Sequence, residues 1–127
     1  VAVLSANAQT PEPSKFILER DAQVAQEQVG PHGGGGKTIG YSFFEGVKDY
    51  KTAFKKRTLK PGSSIGYHLQ KEDEVYYIIS GYGKMTMNGE TFTVKPGDAI
   101  LTRPGSSHSL TPESSNELTL IIVYQKK

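Results

Sequence analysis

Gly62-Ser63-Ser64-Ile65-Gly66-Tyr67-His68-Leu69-Gln70-Lys71-Glu72-Asp73-Glu74-Val75-Tyr76-Tyr77-Ile78-Ile79-Ser80-Gly81 is the stretch on which the fold turns. It holds two strand-length runs, Ile65 to Gln70 and Glu74 to Ser80, bounded by Gly62 and Gly81. Side chains two apart on a strand point the same way, so His68 and Gln70 share one side. Glu74 opens the next strand and shares its face with Tyr76 and Ile78. A second stretch follows the same logic: a turn at Gly97-Asp98, a strand from Ala99 to Thr102, a turn at Arg103-Pro104-Gly105, then Ser107 to Leu110 carrying His108. A histidine distant in sequence can thus enter the same interior.

Working outward, strand patterns continue on both sides. Ile39 to Phe44 and Thr52 to Leu59 precede the stretch; Lys84 to Met87 and Glu90 to Val94 flank Asn88-Gly89, a strong two-residue hairpin signal. Glu117 to Tyr124 alternates Leu118, Leu120 and Ile122 against Thr119, Ile121 and Val123. Near the N-terminus, Phe16 to Leu18 reads as a short strand and Ala22 to Val29 as turn or loop. The run from Gly30 to Gly36 breaks any regular element and matches no nucleotide-binding fingerprint. Many short strands, Gly and Pro turns and no helical period predict an all-β sandwich or jelly-roll barrel.

A chain of 127 residues supplies one core and one domain. Its 15 Lys+Arg nearly balance 13 Asp+Glu. The basic run Lys51, Lys55, Lys56, Arg57 and Lys60 is split between strand faces by alternation, so no nucleic-acid surface is expected. With no Cys, disulfides, thiolate ligands and cysteine nucleophiles are excluded. No run reaches the roughly 18 apolar residues of a membrane span. Val1 to Ala8 reads as the end of a signal peptide with an Ala-x-Ala site, which predicts a periplasmic or secreted protein, a cytoplasmic one remaining open. Residues 1-15 are then signal remnant and flexible arm, and 16-127 the domain.

Two imidazoles, a carboxylate and an amide converging on one interior suit a single divalent metal of the Fe, Mn, Ni or Zn type. His68, Glu74 and His108 are the expected ligands. Gln70 either ligates through its amide oxygen or orients Glu74 or substrate. His32 reads as a solvent-exposed loop residue, Met85 and Met87 as interior wall. Arg57 shares parity with Leu59 and so faces inward, within reach of a substrate carboxylate.

These residues resemble the two motifs of the cupin family. Gly62, five residues, His68-Leu69-Gln70, three residues, Glu74, six residues and Gly81 match the first; Gly97, Pro104, Gly105 and His108 match the second. Gln70 stands where the family has its second histidine, Arg103 where it has proline, and Pro112 where it has asparagine. The resemblance covers Thr52 to Val123. It implies a double-stranded β-helix (jelly-roll, cupin) barrel with metal ligands at His68, Gln70, Glu74 and His108. It also implies a homodimer formed through N-terminal strands.

The function so implied is metal-dependent action on a small oxygen-rich substrate, anionic or polyhydroxylated, such as a carboxylate or sugar acid. A dioxygenase or an isomerase/lyase would fit, with Arg57 and Tyr76 as catalytic candidates beside the metal and His32 a third. The rival expectations are a non-catalytic module binding a small ligand or carbohydrate, and a structural protein.

Overall fold

The computed structural model describes residues 15–113 and 115–127. A single helical turn, α1 (Asp21–Val24), precedes ten strands: β1 (Ala25–Val29), β2 (Lys37–Phe43), β3 (Thr52–Leu59), β4 (Ile65–Leu69), β5 (Glu74–Ser80), β6 (Gly83–Met87), β7 (Glu90–Val94), β8 (Ala99–Thr102), β9 (Ser107–Pro112) and β10 (Leu118–Gln125). They form a six-stranded sheet, β1-β2-β3-β10-β5-β8, and a four-stranded sheet, β4-β9-β6-β7. Every pairing is antiparallel.

Alternation builds the core. On β10, Leu118, Leu120 and Ile122 are buried while Thr119, Ile121 and Val123 are half-exposed. Each inward aliphatic side chain contributes about 2 kcal/mol of transfer free energy. They meet Leu59, Tyr76 and Ile78 of the larger sheet and Ile65, Met85, Val94 and Leu110 of the smaller. The Asn88-Gly89 hairpin forms as its sequence requires, with φ of 51° and 85°.

The expected closed barrel is not what forms. The two sheets resemble the cupin jelly roll, but no strand ladder joins them among the described residues: β1 and β8 end one sheet, β4 and β7 the other. Side-chain packing across the core holds them together instead. Sheets stacked face to face stand about 10 Å apart, twice the spacing a backbone ladder needs.

Three N-terminal expectations also change. Phe16 to Leu18 is not a strand; the three residues are 76%, 51% and 61% exposed and join no ladder. Ala22 to Val29 is not loop but the end of α1 followed by β1. The strand at 39–44, expected to be free for a partner's sheet, is instead paired on both edges within the chain, by β1 and β3. The leader reading of Val1 to Ala8 lies outside the described residues.

Candidate metal centre

Register assembles the site from both sheets. On the smaller sheet His68 of β4 lies directly opposite His108 of β9, a cross-strand relation that brings side chains within contact. On the larger sheet Glu74 of β5 lies opposite Thr102 of β8. The two motif turns are tied by a reciprocal pair of backbone bonds, Gln70 N to Ser106 O (2.8 Å) and Gly105 N to Gln70 O (2.9 Å). Arg103 adds an exposed ion pair with Asp73 across the same junction.

The result is a tight cluster: one ligand atom each from His68, Glu74 and His108, all within 4.8 Å of one another. Both imidazoles are oriented through their Nδ1 atoms. His68 Nδ1 lies 2.7 Å from the Gly66 carbonyl oxygen, and His108 Nδ1 lies 3.1 Å from Thr102 Oγ1. His108 Nε2 and Glu74 Oε1 are 3.4 Å apart and buried, and neither has a hydrogen-bond partner. A carboxylate and an imidazole stripped of water with nothing to bond are costly. A divalent cation between them removes that cost, and two nitrogens with one carboxylate oxygen are donors suited to Fe, Mn, Ni or Zn. The residues fit a metal.

Around this cluster opens a cleft of about 480 Å³. Gln70, 6% exposed, lines it just beyond the end of β4. Tyr76 is buried and stacks on His108, ring centroids 5.2 Å apart at 17°. Burial, together with the Glu74 charge, pushes its hydroxyl well above the usual phenol range. It therefore stays protonated at neutral pH. Arg57 of β3 is half-buried in the cleft wall, and Arg57 Nη1 donates to Thr38 Oγ1 at 2.8 Å. Desolvation draws its pKa down from the ordinary guanidinium value, though a guanidinium remains charged at neutral pH. Lys55, two residues before it, lies over the Tyr124 ring.

The three residues expected as ligands do cluster, and Gln70, Arg57, Tyr76 and His32 all border the same cleft. The sequence reading missed Thr102, which no spacing rule ties to His108, and it undervalued His32. That residue is exposed as expected, yet its ring stacks on His68 at 3.5 Å and 8°. Only a long-range contact of the glycine segment reveals this.

Fold and site together define a two-sheet β protein in which a largely buried His-His-Glu cluster, fit to hold a metal, borders a cleft. The Cupin domain model matches residues 56–124, and the chain belongs to the cupin family. An oxalate-binding protein of Thermotoga maritima is 30% identical over 111 residues, covering 84% of this chain and 92% of that protein. The crystal structure of a predicted oxalate decarboxylase from Thermotoga maritima superposes with a TM-score of 0.77 at 27% identity, over 87% of this chain and 100% of the other. A polyketide cyclase of Streptomyces resistomycificus shares the fold alone, with a TM-score of 0.76 at 17% identity, over 88% of this chain and 80% of that one.

Proposed function

We propose that this chain holds one divalent transition metal, of the Fe, Mn, Ni or Zn type, on His68, Glu74 and His108, and uses it to take up a small dicarboxylate of oxalate size. The observation that carries the reading is the pair of buried, partnerless atoms Glu74 Oε1 and His108 Nε2. Once bound, the metal supplies Lewis-acid attraction for a carboxylate oxygen.

The chain's own residues favour an anion. Glu74 offsets only one of the metal's two positive charges, and Lys55, Arg57 and Lys71 add three more on the cleft wall against one negative charge from Glu72. Arg57 has no carboxylate partner among the described residues. One Arg57 nitrogen is engaged by Thr38; the other Arg57 N–H groups have no partner among the described residues and suit the bidentate geometry a carboxylate offers. Tyr76, kept protonated, is a donor and not a base. Gln70 contributes its amide oxygen to the metal or its N–H to the ligand. The oxalate named for the Thermotoga maritima relatives agrees with this charge and size. Turnover is the second reading, and Glu72 supports it, because its half-exposed carboxylate borders the same cleft.

Calorimetry of the manganese-loaded protein with oxalate tests the proposal. Saturable one-to-one binding, lost in the chelator-treated protein and weakened at least about tenfold in Arg57→Gln, is expected. Equal binding with and without metal would overturn it. Product formation from oxalate, followed by NMR, separates catalysis from binding alone.

A further inference from the structure

We propose that the glycine segment from Gly30 to Gly36 is a rigid seat for His32, and that the His32 ring is a positioning residue of the metal centre, fixing the orientation of His68. The inference rests on the metal reading above and adds a residue that neither cupin motif contains.

β4 is an edge strand with an irregular ladder. It pairs with β9 at Ile65 and again at His68, with a register shift between. That interruption frees both backbone groups of Gly66. Its carbonyl accepts from the His68 ring, and its N–H donates to the Pro31 carbonyl at 2.9 Å. The segment is bound at two further points to Ser64, the residue just before β4. Ser64 N–H donates to Gly35 O at 3.2 Å, and Ser64 Oγ donates to Gly34 O at 3.0 Å. Internal bonds from Gly30 N to Gly36 O, Gly34 N to Pro31 O and Gly35 N to Gly30 O fold it on itself.

The glycines here serve thinness more than freedom. A Cβ on Gly34 would stand 1.9 Å from Ser64 O, and one on Gly66 would stand 2.0 Å from His32 O. Only bare backbone allows the segment to lie this close to the strand. His32 itself, a residue with a Cβ, is held at φ 56°, a left-handed conformation costing about 1 kcal/mol. His32 and Gly33 (φ 76°) are the central residues of the turn closed by Gly34 N–H to Pro31 O, and that turn sets where the ring lies.

The placement is a parallel stack on His68, centroids 3.5 Å apart and planes 8° from one another. His68 is only half-buried. Its ring is tilted against His108 at 57°, so the His32 stack covers a face that packing would otherwise leave open. With Nδ1 held by Gly66 and the ring plane held by His32, Nε2 of His68 is left to the metal. A ring that would otherwise rotate is locked before the ion arrives.

The test uses His32→Asn, because asparagine tolerates the left-handed backbone while removing the ring, and His32→Phe, which keeps a stack without nitrogens. Cobalt(II) is titrated in competition with a chelator, and its visible absorption reports ligand geometry. His32→Asn should weaken binding about tenfold and alter the spectrum, as residues orienting a metal ligand do. His32→Phe should restore both to within about twofold. Parent-like affinity and spectrum in His32→Asn would overturn the proposal. So would a His32→Phe protein as impaired as His32→Asn, which would make the imidazole nitrogen the active group. A metal-free arm separates this from the metal reading: in the apo-protein, His32→Asn should shift the His68 ring proton resonances through loss of the stacked ring. If the parent binds no metal, the metal reading fails, while unmoved His68 resonances overturn the positioning role by themselves.

Discussion

Glu74→Gln should bind metal far more weakly than the parent and yet, stripped of metal, melt at a higher temperature. Glu74 is 8% exposed, and its Oε1 faces His108 Nε2 at 3.4 Å without a hydrogen bond. In the metal-free protein that oxygen is buried with no hydrogen-bond partner. The amide has the same shape, carries no charge and can donate an N–H to the imidazole nitrogen. Exchanging an unsatisfied buried group for a hydrogen-bonded neutral one is worth about 1 kcal/mol, which for a domain of this size is a rise of about 4 °C in the midpoint. Metal binding moves the other way. The variant loses the charged ligand itself, so affinity should fall by more than the roughly 100-fold upper range seen when only a ligand's supporting group is removed. Differential scanning fluorimetry with chelator, then with excess zinc or manganese, reads both effects. A metal-free midpoint several degrees below the parent, with the metal-induced shift intact, would refute the reasoning: the carboxylate would then be a structural partner of His108 and not a ligand waiting for a cation.

Thr102→Val removes the group that holds His108 Nδ1 within the buried core; metal affinity should drop about 10- to 100-fold in a chelator competition, and an unchanged value would show that His108 needs no such orientation. Gln70→His should bind metal at least as tightly as the parent, since imidazole is the better donor; weaker binding would mean that position 70 cannot direct a ring at the ion. Self-association is expected from the outward face of β5, where Val75, Tyr77 and Ile79 are 37%, 46% and 44% exposed beside Leu101 at 55%. Light scattering at micromolar concentration should give about twice the 13.9 kDa chain mass, and a monomer at that concentration would refute it.

Period-two alternation made most strands legible, because a strand with one buried face writes that face into its sequence. Thr52–Leu59, Glu74–Ser80, Glu90–Val94 and Ala99–Thr102 form with the bounds expected. β1 escaped for the same reason: all five of its residues are exposed, so it has no apolar face to announce it and exists through its ladder to β2. The opposite error arose at Phe16 to Leu18, an apolar run with no strand to pair. Alternation also says which side of a strand is buried but not whether two sheets join at their edges, and the barrel expectation failed there. His68, Glu74 and His108 were legible because motif spacing and parity agree. His32, named as a third candidate, does line the cleft; its stack on His68 was not legible, since a glycine run reads as backbone freedom, whereas this one is pinned by close approach to Ser64 and β4.

The central claim is that His68, Glu74 and His108 hold one metal ion. Elemental analysis of protein purified without chelator or affinity tag, and dialysed exhaustively, tests it most directly when paired with His108→Ala. The account predicts about one transition-metal ion per chain in the parent and well below that in the variant. Equal metal content in the two proteins would contradict it.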